Sequence, residues 1–163
     1  MSVRLIRTKH PADPFPRQLF LEKPSQPVGE VNVRVTLTNA IDAVLADEGK
    51  LPEDKVRSCE VPARVDTGAV SCVVPKKVLE SIGVGIRTTR QATFADGRSE
   101  IVDVSNPILV MVDGRDTLEE ALVFGDEVLL GQTVLERTDL LVDCANGCLV
   151  PNPRHPNGPA LRV

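Results

Sequence analysis

The sequence predicts an all-β domain, closed into a barrel or packed as a sandwich, and three observations carry that prediction. Residues 31–38 (V-N-V-R-V-T-L-T) alternate apolar and polar side chains without a break, the pattern of a strand with one buried face. Asp96-Gly97, Asp113-Gly114 and Asn146-Gly147 fall between strand-like runs, where such pairs form tight turns. Residues 61–75 (V-P-A-R-V-D-T-G-A-V-S-C-V-V-P) set β-branched runs on both sides of Asp66-Thr67-Gly68, so the chain enters as a strand, turns at Gly68 and leaves as another. About nine strands, one short helix and one shorter helical turn are expected.

Residues 1–28 hold Pro11, Pro14, Pro16, Pro24 and Pro27, which exclude a helix or a central strand. They are expected to form an extended N-terminal arm. The domain is expected to span 29–151, and 152–163, with Pro153, Pro156 and Pro159, to be a C-terminal tail. After the first strand, Ile41, Val44 and Leu45 are spaced for the buried face of a short helix. The charged stretch 47–55 reads as a surface excursion inside a hairpin. Residues 75–83 begin with Pro and end with Gly, the usual asymmetry of a helix, with Val78, Leu79 and Ile82 inward.

Residues 91–95 and 98–104 form a hairpin around Asp96-Gly97. Asn106-Pro107 bends the chain into a strand at 108–112, and after Asp113-Gly114 the return strand is expected at 121–124. Residues 128–131 read as a buried strand stopped by Gly131, followed by one or two helical turns at 132–137. Residues 140–143 and 148–150 pair across Ala145-Asn146-Gly147.

Composition narrows the function. The chain has 163 residues, 42% hydrophobic, enough for the core of one domain. Its aromatics are Phe15, Phe20, Phe94 and Phe124, too few for base-stacking platforms, and a net charge of −4 without a basic block argues against nucleic acid and anionic membranes. No apolar run reaches transmembrane length and residues 1–16 lack the apolar segment of a secretory signal, so a cytoplasmic protein with reduced thiols is expected. Cys144 and Cys148 bracket an Asn-Gly turn that could set two thiols across a hairpin as a disulfide or metal site, but Cys59 and Cys72 lack metal-ligand spacing and His10 and His155 lie in the tails, so structural thiols and no metal are the favoured expectation. Asp126-Glu127 reads as a solvated turn and Asp143 as a strand-end turn former.

One carboxylate stands apart. Asp66 is expected between two apolar segments, a costly placement unless it performs chemistry. The plain alternative is an Asp-Thr-Gly turn.

The order of parts resembles the retropepsin-like (clan AA) aspartic proteases, of the small single-domain bacterial type. The residues that carry the resemblance are Val65-Asp66-Thr67-Gly68-Ala69, the hairpin tip Phe94-Ala95-Asp96-Gly97-Arg98, Leu129-Leu130-Gly131 before the helical turns, Leu140-Leu141-Val142-Asp143, and the tail Asn152 to Asn157. It covers about residues 31–157. The resemblance implies a closed barrel-like acid protease fold with one short helix and a flap hairpin. It implies an aspartic endopeptidase without cofactor or metal, acting on peptide or protein substrates as a homodimer. Ala95-Asp96-Gly97 and Val112-Asp113-Gly114 lack the Thr or Ser of a second triad, so two copies must pair to supply two aspartates.

In that frame Asp66, Thr67 and Gly68 are the catalytic residues. Asp66 holds the attacking water, Thr67 fixes the loop across the two-fold, and Gly68 offers its carbonyl to peptide. Ala69, Phe94, Ala95, Asp96, Gly97 and Leu130 are expected to bind substrate. The sequence departs from the retroviral members where they commonly carry an Arg and an Asp that pair near the dimer contact: here Gln132 and Val70 stand. Both partners are missing together, so no charge is stranded and the dimer must be held by other contacts. The 39–60 excursion is also longer than in compact retroviral members. The competing reading is a non-catalytic dimeric module that keeps the fold to bind peptides. A further one is a precursor that removes its own Pro-rich leader. A cysteine hydrolase is disfavoured, since neither histidine lies near a strand end that could present it to Cys72.

Overall fold

The computed structural model describes residues 29–160; the Pro-rich arm at 1–28 lies outside the described residues, as do residues 161–163 of the tail. In chain order the elements are β1 (Val31–Asn39), α1 (Ala40–Asp47), a 3-10 turn (Glu53–Lys55), β2 (Ser58–Val65), α2 (Lys76–Ser81), β3 (Ile86–Thr93), β4 (Ser99–Ser105), β5 (Ile108–Val112), β6 (Arg115–Glu119), β7 (Leu122–Val123), β8 (Val128–Leu130), α3 (Gln132–Thr138), β9 (Leu140–Asp143) and β10 (Cys148–Pro151). The all-β class holds, with ten strands and three helices of eight residues or fewer among the described residues.

Five strands pair in the order β6-β5-β1-β2-β8, antiparallel except for β2 and β8, which run parallel. The order β3-β4-β7 makes a second set. Val73 joins the two, bridging to Leu122 on β7 and to Leu129 on β8. Among the described residues the sheet therefore curls without joining edge to edge: β6 and β3 are its ends. The β9–β10 hairpin packs alongside β1 and α3. Val35, Leu37, Ile108, Val110, Leu130 and Val134 fill the interior at 1% exposure or less, an aliphatic core without an aromatic ring among the described residues.

Two local expectations change. The return after Asp113-Gly114 starts at Arg115, not at residue 121. Asp113 (φ 50°) and Gly114 (φ 71°) are both left-handed, which closes a two-residue hairpin and sends the chain straight back. This strand hides in the sequence because its inward side chains are Arg115, Thr117 and Glu119, while Leu118 faces out at 53% exposure.

Helix α1 is turned away from its expected face. Ile41 and Val44 are more than half exposed, and Ala40 and Asp42 are buried. Polar contacts set that orientation. The Asn39 side chain accepts from the Ile41 amide (3.0 Å) and the Asp42 amide (3.3 Å) and donates to the carbonyls of Ile82 (3.1 Å) and Gly83 (3.2 Å). Asp42 accepts from Nε (2.7 Å) and Nη2 (2.8 Å) of Arg57 and from its backbone N–H (3.1 Å).

The described part of the tail is fastened. Buried Arg115 donates to the carbonyls of Thr138 and Asp139 (both 2.8 Å), His155 (2.9 Å) and Pro156 (3.4 Å). The Asp139 carboxylate accepts from Asn152 Nδ2 at 2.8 Å and lies 2.6 Å from His155 Nδ1. These partners hold the Asp139 carboxyl below its ordinary value, the Asn152 bond most of all. Among the described residues, no helix is long and apolar enough to cross a membrane.

Candidate active site

Asp66 follows the last residue of β2, at the end of the parallel β2–β8 pair. Its backbone N–H donates to the Leu130 carbonyl (3.0 Å) and so continues the ladder by one bond. The chain then turns back: the Gly68 amide donates to Asp66 Oδ1 (2.9 Å) and the Ala69 amide to the Asp66 carbonyl (3.2 Å). An aspartate bonded to a backbone amide two residues on is a common turn former. Here it fixes one carboxylate oxygen and leaves the other without a hydrogen bond among the described residues.

The second wall of the loop is the start of α3. The Gln132 amide donates to the Ala69 carbonyl (2.8 Å) and the Thr133 amide to the Val70 carbonyl (3.1 Å). These first-turn amides have no partner within the helix, so the loop satisfies them and is held by them. Gly131 makes the approach possible. A Cβ there would lie 2.5 Å from the Ser71 oxygen, 2.7 Å from that of Val70 and 2.8 Å from that of Ala69. Beyond the loop Cys72, Val73 and Val74 are buried, and Val73 exchanges backbone bonds with Leu129 (2.9 and 3.0 Å). The loop is thus seated on the core at both ends and open at its crest.

That crest corrects the expected burial. Asp66 and Ala69 are half-buried, Thr67 and Gly68 are exposed, and Val70 is 64% exposed. The apolar walls stop short of the turn, because the inward residues on either side are Ala63 and Cys72. In the single chain Asp66 is half-buried, and its bond to the Gly68 amide lies at the exposed crest.

The hairpin tip forms as the sequence indicates. Phe94 N–H donates to the Arg98 carbonyl (2.8 Å), Gly97 N–H to the Phe94 carbonyl (2.9 Å), and Gly97 takes a φ of 83°. Asp96 accepts from Arg98 Nε (2.6 Å) and N (3.0 Å), and these bonds hold its carboxyl below its ordinary value. Phe94 packs edge-on against Phe124, with ring centroids 5.5 Å apart, and the Arg98 guanidinium lies 5.7 Å from the Phe94 ring centre. Ala95, Asp96 and Gly97 remain exposed. Hairpin and loop are joined through β7, which pairs with β4 and bridges to Val73. Among the described residues no hydrogen bond runs directly from the tip to Asp66.

Leu130 lies beneath the loop. Its side chain is 0% exposed and packs in the core, so what it gives the site is its carbonyl, which receives the Asp66 amide. The residue missed in sequence was Gly131. Its signal in the sequence is a glycine between a buried pair and a helix, which marks the end of a strand but not the contact it makes. All four thiols are free; burial, assisted by the Glu119 charge, pushes the Cys72 thiol up to about 12, which disables it as a nucleophile. Among the described residues no group of three or more His, Cys, Asp or Glu side chains is placed to hold a metal ion.

No family model and no curated protein matches the chain. Among solved structures it is similar to the retroviral protease-like domain of Ddi1 from Leishmania major, at 18% identity over 81% of this chain and 94% of that one, with a TM-score of 0.47. It is similar to the EIAV protease in complex with the inhibitor HBY-793, at 16% identity over 69% of this chain and 92% of that one, with a TM-score of 0.40. It is also similar to a retropepsin-like aspartic protease from Rickettsia conorii, at 18% identity over 76% of this chain and 91% of that one, with a TM-score of 0.41.

Proposed function

We propose that the protein is an aspartic endopeptidase that works as a homodimer, with Asp66 of each copy forming the catalytic pair. The observation that carries the reading is the setting of Asp66: a seated loop holds one carboxylate oxygen and leaves the other on an open crest. On this reading it meets its own mate across the dimer. Two carboxylates brought about 3 Å apart do not both ionise, so they share one proton and titrate as a unit. The ionised member takes a proton from a water held between them, and the protonated member polarises the scissile carbonyl. The proton then passes to the leaving amine.

Thr67, exposed beside Asp66, supplies a hydroxyl for the contact across the two-fold. Gly68 brings its backbone close to a bound peptide, and a side chain there would crowd Asp66 Oδ1, 3.2 Å from the Cβ position. Ala69 lines the floor. The tip Ala95-Asp96-Gly97, rooted by Phe94, covers an extended peptide and excludes water.

The test is cleavage of a mixed peptide library between about pH 4 and 7 by wild type and Asp66→Asn, with native mass measured alongside. The amide oxygen of asparagine still accepts from the Gly68 N–H, so fold and dimer persist while cleavage is lost. A stable wild-type dimer that cleaves nothing would replace the enzyme with a peptide-binding module.

A further inference from the structure

Glu119 ends β6 with its side chain turned inward, 7% exposed. Its Oε1 accepts from the Thr117 hydroxyl (3.1 Å) and from Arg137 Nη1 (3.1 Å). Its Oε2 accepts from the Thr133 hydroxyl (3.2 Å). Thr133 and Arg137 are four residues apart, on one face of α3. A single carboxylate therefore grips two successive turns of the helix whose first amides hold the Asp66 loop. Arg137 Nη1 also donates to the Leu118 carbonyl (2.7 Å), so it spans β6 and α3.

The clearance at Gly131 gives this grip its consequence. Only a residue without a Cβ lets the helix sit this close to the Ser71, Val70 and Ala69 oxygens, and the Gln132 amide, 2.8 Å from the Ala69 carbonyl, is already at ordinary hydrogen-bond length. Withdrawal of the helix breaks the Gln132 and Thr133 amide bonds to the Ala69 and Val70 carbonyls. An apolar side chain at 119 would fill the same space without fixing the rotation or axial position of α3. Val70 and Gln132 carry no charge, so no ion pair between them ties loop to helix.

We propose that Glu119 is a positioning residue for the Asp66 loop: through the Thr133 hydroxyl and the Arg137 guanidinium it keeps α3 seated, and the seated helix fixes the carbonyls of Ala69 and Val70. Its effect on cleavage rests on the protease reading of Asp66; its effect on the loop does not.

The experiment is residue-resolved amide hydrogen exchange on the full chain, with wild type, Thr133→Val, Thr133→Ser and Glu119→Gln. Thr133→Val removes the hydroxyl at nearly constant shape and leaves Glu119 in place. The expected result is exchange of the Gln132 amide on the order of tenfold faster in Thr133→Val and Glu119→Gln, with the Leu37 and Val110 amides unchanged. Thr133→Ser keeps the hydroxyl and restores the wild-type rate. In cleavage assays the same two variants lower kcat and leave KM nearly constant, because the loop and not the peptide subsites is displaced. An unchanged Gln132 rate, or a rise matched at Leu37 and Val110, would overturn the proposal. If Glu119→Gln does not fold, the Thr133 pair decides alone. A wild type that cleaves nothing would remove the protease reading, and the exchange result would still decide the role of Glu119.

Discussion

Replacing Gly131 by alanine isolates the contact on which the candidate site is built. Gly131 has φ −82° and ψ −179°, extended backbone open to any residue, so the substitution carries no conformational strain. Its cost is chiefly steric, with a smaller part from replacing glycine by alanine at the helix N-cap. The added methyl meets three backbone oxygens, none of which can swing aside as a side-chain end would, and the Ser71 oxygen must retreat by about 0.5 Å merely to reach 3.0 Å. Overpacking of this kind costs about 1–3 kcal/mol. The two amide bonds that lengthen as α3 backs away contribute about 0.5–1.5 kcal/mol each. The expected destabilisation is roughly 4 kcal/mol, a large part of the ~5–15 kcal/mol typical of a domain. Urea unfolding followed by far-UV circular dichroism should show a lower midpoint at unchanged slope. A Gly→Ala change without a clash stabilises by about 0.4–1 kcal/mol through the unfolded chain. A variant as stable as wild type, or more so, would therefore refute the close approach of α3 to the loop.

Asp42 is held below its ordinary value of 3.8, first by the Arg57 side-chain bonds and against the opposing pull of burial. A depressed carboxyl stabilises the fold above its unfolded value and loses that contribution as pH falls through the lower folded one. Arg57→Ala should therefore shift the acid-unfolding midpoint upward; an unmoved midpoint would leave the pair without effect. Arg115→Ala removes one guanidinium from four carbonyls and should destabilise by roughly 2–4 kcal/mol, with faster exchange of the Asn152 amide, which is bonded to the Asp139 carbonyl. Arg115→Lys should recover little, since an ammonium lacks the fork that reaches both chain segments; full recovery would show that charge alone suffices. At about pH 8 a thiol reagent should label exposed Cys144 in the native protein and reach buried Cys72 only after unfolding; equal rates would contradict the burial and the raised thiol value.

What could be read from the sequence were features whose signals are local. Alternation along Val31–Asn39 marks a half-buried strand because side-chain direction repeats every two residues. Asp96-Gly97 marks a hairpin because a positive φ falls on a residue without a Cβ. Asp66-Thr67-Gly68 marks a turn with a carboxylate at its head, and the turn forms within three residues. These features were legible, and with them the all-β class and the loop of the candidate site.

What only the tertiary structure decided were features whose partners lie far along the chain. Arg115 is buried because its acceptors are 23 to 41 residues away. Without them its strand reads as charged surface. Ile41 and Val44 face out because Asn39 reaches Ile82 and Gly83, and Asp42 reaches Arg57. Leu130 is buried in the core because β8 pairs with β2 beneath the loop. Glu119 meets Thr133 and Arg137 only when β6 lies along α3. A polar side chain turned inward leaves no periodic mark in the sequence. Its placement is stabilised by hydrogen bonds to groups that become neighbours only after the sheet has curled.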